Sequence, residues 1–170
     1  MKKVLLVDFH GTIVDANLAW YRAYCASCPD KSEYIWNRLS AKDSRKEIAQ
    51  SLGLNYDDVI KIYRQNLAVR DDVIKMIHGL NLPIIIVSNA SLERLMADIN
   101  TVQSQHNLTF LKIYSKENGK KPDVEYIERI IAENGFDGAY MIDNDIDEGV
   151  IKSPKVTNIL VPNLYFFDNK

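Results

Sequence analysis

Three polar positions in the chain follow directly on apolar runs, and a lysine pair lies in a polar turn after a fourth run. Asp8 closes the run KVLLV, from Lys3 to Val7, and is followed by Gly11 and Thr12. Ser88 and Asn89 close a run that starts at Pro83, PIIIV. Lys120 and Lys121 lie in the polar turn KENGKKPD, and Asp143 closes GAYMI with Asp147 four residues on. A single Asp after a strand is most often a turn former or a helix cap. A carboxylate, a hydroxyl, an ammonium and an acidic pair together suit the handling of a phosphoryl group. Oxygens hold a hard divalent cation, cation and donors meet the phosphate oxygens, and a carboxylate attacks.

These groups act together only if the fold brings them to one edge. The short apolar runs, bounded by turn residues and separated by helical periodicity, predict parallel α/β units, whose strand ends share one side of the sheet. Strands are predicted over Lys3 to Val7, Pro83 to Ser88, Thr109 to Tyr114, Gly138 to Asp143 and Val156 to Val161. Helices are predicted over Asp71 to Leu80, Ser91 to about Gln105, and from Pro122 as first helical residue to Asn134, with Gly135 as the stop. Leu164 to Phe167 is expected to pack the C-terminus back on the body.

Between the first strand and about Leu67 the pattern changes. Apolar residues recur at three- and four-residue spacing through Leu18, Tyr21, Ala23 and Tyr24, then Ile35, Trp36 and Leu39, which predicts a helical insert. Asp30 or Ser32, Asp43 or Ser44, and Asn55 are candidate helix starts, and Trp20, Tyr24 and Trp36 candidate core. Cys25 and Cys28 share a helix face there without the context of a redox or zinc pair, so they read as structural. His78 and His106 stand alone in helical stretches and read as surface or packing residues.

The 170 residues are 46% hydrophobic and 26% charged, enough for one well-buried core and a small appended subdomain. A net charge of -2 offers no broad basic field for a nucleic-acid backbone. No apolar run approaches the roughly 20 residues needed to span a bilayer. Met1 opens directly into the first strand, so a cytoplasmic location is expected. Oligomeric state is not specified by these features.

The motifs resemble those of the haloacid dehalogenase superfamily over nearly the whole chain. The first motif, Asp-x-Asp-x-Thr, reads Asp8-Phe9-His10-Gly11-Thr12. The second is matched by Ser88, the third by Lys121 before Pro122, and the fourth by Asp143 and Asp147. The resemblance implies a Rossmann-like α/β core, residues 1–16 and 68–170, with a small helical cap over residues 17–67. It implies a magnesium-dependent phosphohydrolase acting on a small phosphorylated metabolite through an aspartyl-phosphate. Asp8 would be nucleophile and magnesium ligand, with the backbone carbonyl of His10, Asp143 and Asp147 completing the metal site. Ser88, Asn89 and Lys121 would bind the phosphoryl group. Asp145 is the alternative to Asp147, and Lys120 the alternative to Lys121. Arg22, Arg45 and Tyr21 are candidate cap contacts to substrate.

Two positions depart from the pattern. His10 stands where phosphatases of the family carry a second Asp that gives and takes the proton, a task open to an imidazole. Ile142 stands where a Gly commonly precedes the fourth-motif acid. The first departure keeps two alternatives open: a carbon-halogen or carbon-phosphorus hydrolase, and a catalytically weak binding or regulatory protein.

Overall fold

The structure, a computed structural model, describes residues 1–104 and 106–162. The residues expected to pack the C-terminus, Leu164 to Phe167, lie outside the described residues. The chain divides into two compact units, Met1–Val14 with the residues from Val69 onward, and Asp15–Ala68.

The first unit begins with β1 (Lys3–Val7). The second unit then contributes α1 (Ala16–Ser27), α2 (Ser32–Ser40), α3 (Arg45–Ser51) and α4 (Tyr56–Asn66). The first unit resumes with α5 (Asp71–Leu80), β2 (Ile84–Val87), α6 (Leu92–Gln103) and β3 (Lys112–Tyr114). It continues with α7 (Val124–Glu133), β4 (Gly138–Asp143), the single turn α8 (Ile146–Gly149) and β5 (Val156–Leu160).

The five strands form one sheet in the order β3-β2-β1-β4-β5, and every pairing is parallel. Val7 stands opposite Ile86 on one side and Ile142 on the other. The ends of β1 and β4 therefore flank the place where the chain, having run outward through β2 and β3, returns to the opposite side of β1. Such a switch point leaves a crevice at the strand C-termini. All four residues Val4 to Val7 are fully buried, as expected of a central parallel strand covered on both faces. On one face Val4 and Leu6 pack with Ile85, Met141 and the apolar stripe of α7, Ile127, Ile130 and Ile131.

Three boundaries differ from expectation. β3 is short: Leu111 is 58% exposed, and Thr109 and Phe110 before it are not buried. α7 starts two residues after Pro122: Asp123 caps it, accepting from the Tyr126 amide at 3.0 Å, and Pro122 follows a cis peptide bond. The acidic stretch after Asp143 forms α8, a one-turn helix that the sequence pattern did not indicate.

In the second unit, Asp15, Ser44 and Asn55 accept from the amides of Leu18, Glu47 and Asp58 and cap α1, α3 and α4. Trp20 is its core: the indole stacks on Tyr63 at 4.1 Å between centroids, with Tyr24 and Tyr56 beyond. Trp36 is only partly buried and meets Tyr21 edge to face. Cys25 and Cys28 are free thiols. Arg45 is held within this unit by Asp43 and Asn17 through its guanidinium, and Arg22 is exposed.

Candidate functional site

The site grows out of the ends of β1 and β4. The Asp8 amide donates to the Ile142 carbonyl at 2.9 Å, which sets the two strand tips side by side. Immediately beyond, the chain folds tightly on the Phe9 carbonyl, which accepts from the amides of Thr12, Ile13 and Val14. Gly11 occupies a left-handed conformation, φ +86°, and a Cβ there would meet the Asn144 side chain at 2.6 Å. Arg70, almost fully buried, ties the turn down: its amide donates to the Ile13 carbonyl and its guanidinium to the Gly11 carbonyl.

Lys121 Nζ lies 2.9 Å from Asp8 Oδ1 and 2.5 Å from Asp143 Oδ2. Lys121 and Asp143 are each 1% exposed, and Asp8 8%. The remaining carboxylate oxygens also have donors. Thr12 Oγ1 donates toward Asp8 Oδ2 at 3.3 Å, and the Asp145 amide donates to Asp143 Oδ1 at 2.9 Å. Gly149 lets Asp143 fit, since a Cβ on it would stand 2.2 Å from the Asp143 Cβ.

One ammonium facing two carboxylates leaves one negative charge uncompensated out of water. Burial pushes the Asp8 carboxyl up to about 7, opposed by Lys121 and assisted by Asp143 and Glu148. Burial alone would lower the Lys121 ammonium; Asp8 and Asp143 outweigh it and hold the group protonated above its ordinary range.

These residues fit a magnesium ion. Two adjacent buried carboxylates carry surplus negative charge, and magnesium needs only one or two carboxylates beside water and phosphate oxygens. Among the described residues no three His, Cys, Asp or Glu side chains converge into a full cage.

The other expected residues are placed less uniformly. Ser88 is buried at the tip of β2, and its Oγ accepts from the Ala90 amide at 3.1 Å, which leaves its hydroxyl proton available to a ligand. Asn89 has a further engagement. Both ends of its amide meet the Lys121 backbone, Oδ1 accepting from the amide at 2.9 Å and Nδ2 donating to the carbonyl at 3.2 Å. It clamps the lysine with its oxygen and one of its two amide hydrogens. Lys120 is exposed and takes no part in the Asp8–Asp143 cluster.

Asp147 also departs from its expected place. Asp145 caps α8, accepting from the amides of Asp147 and Glu148, and this leaves Asp147 exposed. Asp147 lines a groove with Pro122, Val124, Ile146, Val150 and Lys152. The charge of that turn that registers at Asp8 belongs to Glu148.

His10 is largely buried. Its Nε2 lies 2.8 Å from Oδ2 of Asp98, a fully buried residue of α6, and the Arg94 Nε lies 3.8 Å from the same oxygen. Phe9 meets the imidazole edge to face at 5.1 Å. Burial lowers the His10 pKa, with Asp98 opposing and Arg94 adding to the fall. Sequence reasoning missed Asp98. The available signal was its place on the apolar stripe of α6, between Leu95, Ile99 and Val102, where an acid needs a buried partner.

No family model matches the chain, and no curated protein matches it in sequence. Solved structures match it in fold. A hydrolase from Streptococcus pneumoniae superposes with a TM-score of 0.64 at 13% identity, covering 96% of this chain and 95% of that one. L-2-haloacid dehalogenase from Xanthobacter autotrophicus gives 0.63 at 18% identity, covering 87% and 72%. A Bacillus subtilis chain assigned to the HAD hydrolases, solved bound to magnesium, gives 0.54 at 18% identity, covering 88% and 81%. The chain has the fold of the haloacid dehalogenase-like hydrolases.

Proposed function

We propose that this chain is a magnesium-dependent phosphomonoester hydrolase acting on a small phosphorylated metabolite through an aspartyl-phosphate on Asp8. The observation that carries this reading is the Asp8–Lys121–Asp143 cluster with its one surplus negative charge. Without a cation such a site repels a phosphate dianion. With one held by Asp8, Asp143 and the His10 carbonyl, it accepts the dianion. When bound, magnesium would neutralise charge on the transferring group.

This chain's own residues do the rest. Asp8 attacks phosphorus, the bond to the leaving oxygen breaks, and the phosphoryl group rests on the carboxylate. Lys121 and the Ser88 hydroxyl hold its outer oxygens, and Lys121 screens nucleophile from phosphate. Water then attacks phosphorus, His10 takes the water proton, and Asp8 is released with inorganic phosphate. The lowered pKa leaves the imidazole neutral at neutral pH, the form that accepts a proton. The Asp15–Ala68 unit is proposed as the cap that selects the metabolite.

A second reading, displacement at carbon as in a haloacid dehalogenase, has the Asp8 nucleophile and the L-2-haloacid dehalogenase likeness in its favour. The two are separated by assaying an aryl phosphate and a 2-haloacid, each with magnesium and with chelator. The phosphatase reading expects phosphate release that needs magnesium and is abolished in Asp8→Asn. Halide release indifferent to chelator, with no phosphate release, overturns it.

A further inference from the structure

We propose that Asp98 is a positioning residue for His10: it fixes the imidazole with Nε2 as the protonated nitrogen and so leaves the ring's lone pair on Nδ1. The inference rests on the phosphoryl-transfer reading only for what that lone pair is used for. The placement itself stands on the geometry.

Asp98 lies on α6, 88 residues from His10 in sequence, and is fully buried. A buried carboxylate needs donors to remain charged. His10 Nε2 stands at 2.8 Å and the Arg94 guanidinium at 3.8 Å, both on Oδ2. An ionised carboxylate only accepts, so the facing ring nitrogen has to carry the hydrogen. In a neutral imidazole the proton on Nε2 leaves the lone pair on Nδ1. Arg94, a cation beside the same oxygen, favours the ionised carboxylate and with it this tautomer.

The ring is held from more than one direction. Phe9, fully buried, meets it edge to face. The backbone on either side is fixed by the turn on the Phe9 carbonyl and by the bridge of His10 to Val14. A side chain with its ring packed, its backbone pinned and one nitrogen engaged has little rotational freedom left. Such restraint is what a proton-transfer group requires. It also gives a physical account of His10 in place of a carboxylate. An imidazole has a second polar atom that can be tethered from behind while the first works, and Asp98 is that tether.

The test uses the isosteric Asp98→Asn, because an amide can accept from or donate to Nε2 and so no longer dictates the tautomer. Imidazole proton–nitrogen correlation spectra of isotope-labelled protein resolve the chain's three histidines, His10, His78 and His106. The expected result is a single Nε2–H form of neutral His10 in the native chain and a mixture or the Nδ1–H form in Asp98→Asn, with His78 and His106 unchanged. A native His10 already in the Nδ1–H form, or the same form in both proteins, overturns the proposal. Activity supplies a second arm. Asp98→Asn lowers kcat at least about tenfold with little change in KM. The same change made in His10→Gln has no further effect, whereas a purely structural role would lower activity in both backgrounds. If the native chain hydrolyses no phosphoester, the functional reading fails by itself and the tautomer still decides the placement.

Discussion

Lys121 and Asp143, both 1% exposed, form an ion pair of 2.5 Å at the end of β4, and the same ammonium reaches Asp8 at 2.9 Å. Removing it leaves two carboxylates facing each other without a cation. Lys121→Met is therefore expected to destabilise the protein by about 3–5 kcal/mol, since an uncompensated buried charge costs more than a lost contact. The loss is larger at pH 8 than at pH 5, where protonation relieves the repulsion. Urea unfolding at the two pH values measures it, and equal losses would place the cost elsewhere.

In the proposed reading, magnesium and protons would compete for Asp8. Its carboxyl is raised from 3.8 in the free side chain to about 7 in the fold, so the folded chain binds this proton more tightly than the unfolded one. The corresponding stability is complete below pH 3.8 and lost as pH rises through about 7. Without metal, Tm is expected to fall between about pH 5.5 and 8. Added magnesium raises Tm more at the upper end of that window than at the lower. A magnesium shift equal at both ends, or larger at the lower one, would contradict a cation held by Asp8.

Gly149 is needed for its lack of a side chain. A Cβ there would stand 2.2 Å from the Asp143 Cβ and 2.5 Å from its Cγ. Gly149→Ala is expected to cost about 1–3 kcal/mol and to displace Asp143, weakening magnesium binding as well. Gly79 is the control. It lies in α5 with open space where a Cβ would stand, and Gly79→Ala is expected to stabilise by about 0.5–1 kcal/mol. Calorimetry with magnesium titration reads both variants.

Asn89 separates a clamp from a phosphate ligand. Asn89→Ala removes two hydrogen bonds to the Lys121 backbone, at 2.9 and 3.2 Å, and is expected to destabilise by about 1–3 kcal/mol. Because the lysine then loses its fixed position, kcat falls more than KM rises. A rise in KM alone, with stability unchanged, would return Asn89 to the role of a substrate contact.

In the proposed mechanism, His10 bears on the choice of leaving group. An imidazole kept neutral by burial is a good base for the water step and a poor acid for the first step. The value of kcat/KM is expected to fall steeply as the leaving group becomes more basic, from aryl to alkyl phosphates, and less steeply in His10→Asp. Parallel slopes in a series of substituted phosphates would exclude the imidazole from the proton transfer.

Much of this arrangement is legible in the sequence, for identifiable reasons. β1, β2 and β4 are buried on both faces and read as unbroken apolar runs, each closed by a polar residue, so Asp8, Ser88 and Asp143 stand out. The choice of Lys121 over Lys120 follows from the fold, which buries one and exposes the other. What stayed hidden depends on distance in sequence or on one local turn. Asn89 and Lys121 are 32 residues apart, and only their juxtaposition turns a donor into a clamp. Asp98 sits within an amphipathic helix whose pattern absorbs a single acid without a break. Asp145, Asp147 and Glu148 are three acids in four residues, and the structure engages Asp145 as the cap of α8 while Asp147 and Glu148 are exposed.

The measurement that meets the central claim most directly is trapping of the intermediate. The protein is mixed with an aryl phosphate and magnesium, quenched in acid within one turnover, and its peptides mapped by mass spectrometry. A phosphoryl group on Asp8, absent in Asp8→Asn and absent with chelator, is the predicted result. Turnover without any phosphoryl adduct on Asp8, or an Asp8 ester formed from a 2-haloacid in chelator and none from phosphate, would contradict it.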